Sequence, residues 1–139
     1  MTITHYFLAF AAVSLLGLAV VFILLQKIRR MPVGHEKAQE IANAIRLGAM
    51  TFLKEEYRII AFFVVGVAAL IGYVMGPVAA VTFTVGSLLS MTTGLIGMHA
   101  ATDANVRTTI AAKDKGEHGA FTVAFLGGGV MGFAVASFG

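Results

Sequence analysis

Residues 94–112 read GLIGMHAATDANVRTTIAA and mark the point where a long apolar stretch becomes polar. Four charged residues come just after it: Lys113, Asp114, Lys115 and Glu117. A second apolar run opens near His118. One short polar loop therefore joins two hydrophobic segments, and we expect it to hold Asp103, Asn105 and Arg107 at a membrane surface.

The composition is that of a membrane protein rather than a soluble one. Hydrophobic residues make up 58% of the 139 residues and charged residues 12%, whereas soluble domains carry about 45–50% and 25%. The absence of cysteine excludes disulfide frameworks and CxxC zinc sites. The net charge of +3 comes from basic residues that flank apolar runs. We therefore expect the lipid bilayer, and no nucleic acid, as the partner of these charges.

Four apolar runs have about the length that crosses a bilayer, which predicts an all-α integral membrane protein with four transmembrane helices. Their expected bounds are 6–25, 59–75, 78–101 and 118–139. We expect the first to be an uncleaved helix rather than a signal peptide. No Lys or Arg precedes it, and basic residues follow it at Lys27, Arg29 and Arg30.

The stretch before the second run has the pattern of an amphipathic helix. Apolar residues recur there every three or four positions: Ala38, Ile41, Ala42, Ile45, Ala49 and Phe52. No proline interrupts residues 35–75, so we expect one long helix that begins at His35. Its first half would project into the cytoplasm and its second half would span the membrane. Gly76 and Pro77 should end it, because proline removes a backbone donor and restricts the preceding residue.

Small residues are in register along the third run: Ser87, Ser90, Gly94, Gly97 and Ala101. We name this set the small-residue seam and expect another helix to pack closely against it. Residues 127–132 fit GxGxxG, but they lie in an apolar run, follow no strand and have no acidic residue about 20 positions on. We therefore expect Gly128 and Gly132 to form a helix-packing pair rather than a dinucleotide site.

The basic residues predict the orientation of the chain. All ten lie in two segments, 27–58 and 107–115. By the positive-inside rule both segments face the cytoplasm and both termini lie outside it, in a multi-pass protein of the cell (inner) membrane. The fourth run has no polar residues after it, an ending that we expect of a segment of a longer protein.

No set of residues in this chain resembles a catalytic or metal site. The acidic residues number seven: Glu36, Glu40, Glu55, Glu56, Asp103, Asp114 and Glu117. Their spacing, with basic residues beside them, does not give the clustered carboxylates that hold metal ions. The four predicted spans contain no Asp, Glu, Lys or Arg, the residues that relay ions through membrane proteins. We therefore predict no catalytic, cofactor-binding or metal-binding residue here.

Three stretches carry a family resemblance: residues 44–60, AIRLGAMTFLKEEYRII; residues 94–112, quoted above; and residues 124–133, AFLGGGVMGF. Together they resemble the membrane-bound inorganic pyrophosphatases, the pyrophosphate-energised proton or sodium pumps. The first is similar to the family's second helix, the second to the signature after its third helix, and the third to its glycine-rich fourth helix. Their order and spacing agree, so the resemblance covers nearly the whole chain after the first span.

The resemblance implies a fold of about sixteen helices in two rings, a homodimer in the intact protein, and magnesium pyrophosphate bound on the cytoplasmic side. This chain is similar to the first four helices, which belong to the outer ring, and it lacks the acidic motif of the later inner helices. The implied function is that of an outer scaffold segment that packs against the remaining helices of the pump. Asn105 and Arg107 match the family signature, and we interpret them as structural anchors of the cytoplasmic loop.

The residues by themselves leave an alternative from another class. A standalone four-helix membrane protein that acts in assembly or interaction, with no catalysis, would have the same runs and the same charges. The coding sequence past Gly139 separates the two, because only a pump would continue into a helix with an acidic motif.

Overall fold

The computed structural model describes residues 3–34 and 36–138, and nearly all of them are helical. Three helices follow in order: α1 (Ile3–Arg29), α2 (Glu36–Met75) and α3 (Pro77–Phe138). Each is long and apolar enough to cross a membrane. The all-α membrane fold is confirmed, but the count of four transmembrane helices is not. The separate spans predicted at 78–101 and 118–139 both fall in α3, with Gly139 outside the described residues.

The first helix contains the predicted span 6–25 and continues to Arg29. The connection to α2 then turns at Gly34, whose φ of 80° lies in the left-handed region that favours glycine. A Cβ at Gly34 would collide with the side chain of Ile110 in α3. The connection is therefore packed against α3, and glycine is favoured there chiefly by its conformation.

The second helix is uninterrupted from Glu36 to Met75, as the lack of proline predicts; His35 lies outside the described residues. Its 40 residues reach about 60 Å, twice the thickness of the hydrocarbon layer. The predicted apolar face of its first half is largely open in this chain, since Ile41 is 52% exposed and Phe52 57%. Within the described residues, Leu53 is the one residue of α2 that is buried.

Helices α2 and α3 form an antiparallel hairpin. Gly76, with a φ of 96°, separates them. A Cβ at Gly72 would contact Ala80 near the turn, and farther along Tyr57 bonds to Met91. These contacts set the register, in which α2 runs back along α3 over most of its length.

The third helix is broken at Gly116, where φ is 67° and ψ is −162°. We call residues 77–115 the first arm and residues 117–138 the second arm. The second arm runs back along the first: a Cβ at Gly127 would lie 2.7 Å from the Cβ of Ala104, and one at Gly97 would collide with Met131. The backbone therefore reverses direction at Gly116, inside the polar loop that the sequence predicts.

The position of this reversal sets where the second arm lies along the first arm. At about 1.5 Å per residue, Gly116 lies about 20 Å beyond Asp103 along the first arm. The beginning of the second arm therefore lies beside this part of the first arm, beyond Asp103. Phe138 lines the same cavity as Gly86 and Ser90, which lie within the predicted span 78–101. The apolar run is long enough to cross a bilayer, but it begins well beyond the end of that span.

The core lies between α1 and the two arms of α3. Its buried residues are Val21, Ile28, Ala100, Ala104, Val130 and Ala134. Alanine and valine dominate this core, which lets the helix backbones approach closely so that dispersion can hold them together in an apolar solvent. The first arm is thus the central element, with α1 and the second arm on one side and α2 on another.

Candidate functional site

Charged residues from all three helices meet at one carboxylate, that of Asp103. The Nε of Arg29, the last residue of α1, donates to Asp103 Oδ2 at 3.2 Å. The Nη1 of Arg46 in α2 lies 3.7 Å from Asp103 Oδ1. Only 11% of the Asp103 side chain is exposed. We call Arg29, Arg46, Asp103 and Arg107 the arginine junction.

Arg107 contributes through the backbone rather than through the carboxylate. Its Nε donates to the carbonyl oxygen of Met31 at 3.1 Å and its Nη2 to that of Arg29 at 3.3 Å. Its Nη1 donates to the carbonyl oxygen of Asp103, one turn earlier in α3. The carbonyls at the end of a helix have no partner within it, and a cation there also interacts favourably with the helix dipole. Arg107 therefore caps the C-terminal end of α1.

The arrangement follows from local sequence in each helix. Asp103 and Arg107 are four residues apart in α3 and so lie on the same face. Arg29 is in the last turn of α1, where a basic residue is favoured. The side chain of Arg29 is 56% exposed and that of Arg46 is 48% exposed, so solvent weakens both ion pairs. The junction acts mainly by fixing the register of three helices.

The sequence analysis assigned an anchoring role to two residues, and the contacts support one of them. Arg107 joins α3 to the end of α1. Asn105 is exposed, lines a groove, and its side chain makes no hydrogen bond within residues 3–34 and 36–138. Sequence reasoning missed Arg29 and Arg46, because a contact across 74 residues, such as that from Arg29 to Asp103, leaves no local signal.

The small-residue seam contacts two different partners. At Gly94 a Cβ would lie 2.6 Å from the hydroxyl oxygen of Tyr57, which donates to the carbonyl oxygen of Met91. At Gly97 the neighbour is Met131 of the second arm. The seam thus brings α2 and the second arm close to the first arm, although two of its members, Ser90 and Ala101, stay exposed.

The predicted packing pair of Gly128 and Gly132 is wrong for contacts within this chain. Apart from the adjoining residues of the same helix, no atom of the described residues lies within 4 Å of a Cβ built at either position. Gly127 makes the close approach instead, against Ala104. Gly128 lines an open groove of about 730 Å³ between α2 and the two arms. Seam residues form part of the groove wall, and Glu56 and Asn105 line it as well.

The residues present do not fit the magnesium ion that the resemblance implies. Among the described residues, no three His, Cys, Asp or Glu side chains are close enough to hold a metal ion. Asp103, the least exposed carboxylate in an ion pair, already faces two guanidinium groups. The junction is therefore a joint between helices.

Comparison with known proteins agrees with this geometry. The family model described as "Inorganic H+ pyrophosphatase" matches residues 15–139. A protein of Clostridium tetani, assigned as a K+-stimulated pyrophosphate-energized sodium pump, is 40% identical over 119 residues, which cover 86% of this chain. The K+-insensitive pyrophosphate-energized proton pump 2 of Moorella thermoacetica is 38% identical over 88% of the chain. The K+-stimulated pyrophosphate-energized sodium pump of Thermotoga maritima is 38% identical over 78%.

The alignments cover most of this chain but only a small share of each relative. The aligned region spans 18% of the Clostridium and Moorella proteins and 15% of the Thermotoga protein. The three apolar helices accord with relatives that are membrane pumps. Because the family model covers most of its residues, this multi-pass membrane chain belongs to the inorganic H+ pyrophosphatase family.

Proposed function

We propose that this chain is an outer scaffold segment of a pyrophosphate-energised pump that couples diphosphate hydrolysis to proton or sodium transport. The proposal is supported by the family match and by relatives that are pyrophosphate-energized proton and sodium pumps. In such a pump the segment would hold later helices in position. Hydrolysis, with magnesium ions clamping the diphosphate and activating water, would take place on those helices.

The observation that carries the proposal is the apolar surface left open on the first half of α2. The second helix is about 30 Å longer than a membrane-spanning length, and Ile41 and Phe52, on the apolar face of this half, are 52% and 57% exposed. If this half lies in the cytoplasm, as its basic residues predict, lipid cannot cover these side chains. Another part of the protein must cover them, because large exposed apolar patches on a water-facing surface mark interaction sites.

The open groove between α2 and the arms supports the same reading. Its wall contains Gly128, where a Cβ would meet no other described residue within 4 Å, so the backbone of another helix has space to approach closely. We assign this surface to the remaining helices of the pump. The outward apolar faces would contact the bilayer and, in a homodimer of the intact protein, the second subunit.

The orientation is part of the proposal. Residues 27–58 and 107–115 would face the cytoplasm, with the start of α1 and the turn at Gly76 on the opposite side of the cell membrane. The second arm would enter the bilayer from the cytoplasm. The arginine junction would then lie at the cytoplasmic end of the bundle, where it fixes α1 and α2 against the first arm.

A chimera tests the function. The matching part of the Thermotoga maritima pump is replaced by this chain, and magnesium-dependent release of phosphate from pyrophosphate is measured in isolated membranes. We expect hydrolysis in the chimera and none from the 139-residue chain alone, because its described residues hold no cluster of metal-binding side chains. The control is the same pump with this part deleted, which should be inactive.

Two results would contradict the proposal. One is a chimera that reaches the membrane in the same amount as the parent pump and yet releases no phosphate. The other is hydrolysis of pyrophosphate by the isolated chain.

A further inference from the structure

The arginine junction holds more positive charge than its own carboxylate balances. The junction contains three guanidinium groups, those of Arg29, Arg46 and Arg107, and one carboxylate, that of Asp103, which leaves a net charge of +2. Arg107 directs three donors to backbone carbonyls. The excess charge therefore rests mainly on Arg29 and Arg46.

Most hydrogen-bond donors of these two arginines are unused. A guanidinium has five N–H donors. Arg29 uses one of them, its Nε, on Asp103. The closest approach of Arg46 to that carboxylate, 3.7 Å, is too long for a hydrogen bond. Within residues 3–34 and 36–138, no other acceptor bonds to either side chain.

A small cleft lies beside Arg46. Its volume is about 90 Å³, and its lining includes Arg46, Asp103 and Arg107. Gln39 and Asn43 line it as well, and they precede Arg46 by about two turns and one turn, respectively, on the same face of α2. Their amide groups add neutral donors, so the cleft combines a fixed cation with side chains that can bond to oxygen.

Few negative charges compete for this cleft. Among the described residues, Asp103 is the one carboxylate in its lining. The nearest acids in α2, Glu36 and Glu40, are exposed and do not line it. The electrostatic potential at the mouth of the cleft is therefore positive. Arg30, which directly follows Arg29 in sequence, adds a further positive charge.

We propose that Arg46 binds a phosphate group at this cleft. Arg29, which contacts the other oxygen of the same carboxylate, adds positive charge nearby. The planar fork of a guanidinium matches the oxygens of a phosphate and bonds to two of them at once. Given the orientation proposed above, on which this inference rests, the cleft lies at the cytoplasmic leaflet. There the phosphate belongs either to the head group of an anionic lipid or to a soluble phosphate. In both cases it supplies the acceptors that Asp103 alone cannot.

The test uses the 139-residue chain purified in a neutral detergent. Phosphatidylglycerol, phosphatidylcholine and inorganic phosphate are titrated separately, and binding is followed by native mass spectrometry for lipids and by thermal unfolding for phosphate. Sodium chloride at the same ionic strength is the salt control. Arg46→Gln removes the least engaged guanidinium. Lys54→Gln removes one exposed positive charge from the same helix, away from the cleft.

We expect Arg46→Gln to weaken binding about tenfold, since one charge-assisted bond is lost, and Lys54→Gln to leave it unchanged. Asp103→Asn should tighten binding while it loosens the helix junction, because it frees both arginines. Binding of phosphatidylglycerol alone identifies a lipid, and binding of inorganic phosphate as well identifies a soluble source.

The inference is overturned if phosphatidylglycerol and inorganic phosphate bind no better than their controls. It is also overturned if Arg46→Gln and Lys54→Gln weaken binding equally, or if Asp103→Asn weakens it, since the arginines would then serve the fold alone. None of these results bears on whether the chimera hydrolyses pyrophosphate, so the two proposals fail separately.

Discussion

Gly127 and Gly128 are neighbours in sequence and meet different surroundings. A Cβ on Gly127 would lie 2.7 Å from the Cβ of Ala104, whereas one on Gly128 would have no atom within 4 Å. Both glycines lie in the second arm and lose similar backbone entropy on folding. Any difference between alanine substitutions at the two sites therefore reports the closeness of the two arms.

We predict that Gly127→Ala lowers the free energy of unfolding by about 2 kcal/mol, because the first arm must move away from a rigid side chain. Gly128→Ala should leave it unchanged or raise it by up to about 1 kcal/mol, since alanine favours the helix. Unfolding of the two variants in detergent, followed by circular dichroism, measures the difference. Equal stability would show that the arms do not touch at Gly127.

Which glycine packs was beyond the reach of the sequence. The spacing of Gly128 and Gly132 fits a packing motif as well as any other pair in the run. The choice depends on the rotation of the second arm about its own axis, which is set by contacts of Val130 and Ala134 with α1 and the first arm. Those contacts are distant in the chain and leave no periodic signal at the glycines.

At the scale of elements, the lengths of the helices were predictable and their ends were only partly so. Apolar runs and the absence of proline predict α1 and α2 nearly as the structure has them. The end of α1 is different, because the carbonyl groups of Arg29 and Met31 bond to a residue far along the chain. Arg107 satisfies both of them.

We predict that Arg107→Lys lowers the free energy of unfolding by about 2 kcal/mol, because an ammonium group cannot reach both carbonyls in the way the guanidinium fork does. Arg58→Lys is the matched control. Arg58 pairs with Glu55 within α2, and both side chains are more than half exposed, so its effect should stay within about 0.5 kcal/mol. Chemical unfolding in detergent compares them. A loss for Arg107→Lys no larger than for Arg58→Lys would mean that Arg107 does not cap α1.

At the scale of the whole molecule, the sequence predicted the class of protein and its family but not the depth at which each run lies. Run length alone predicts that residues 118–139 cross the bilayer. The fold adds that the reversal at Gly116 lies about 20 Å beyond Asp103, so that the second arm is only partly alongside the predicted span 78–101. Depth depends on the register between the arms, which a run of apolar residues does not encode.

The central claim is that α3 leaves the membrane on the cytoplasmic side, reverses at Gly116 and returns. Single cysteines at Lys115 and Met75 test it most directly, since the natural sequence has no cysteine. Both side chains are exposed, one beside the reversal and one beside the turn between α2 and α3. A membrane-impermeant maleimide should label Met75→Cys in intact cells and Lys115→Cys only in inverted vesicles. Labelling of both positions from the same side would contradict the account.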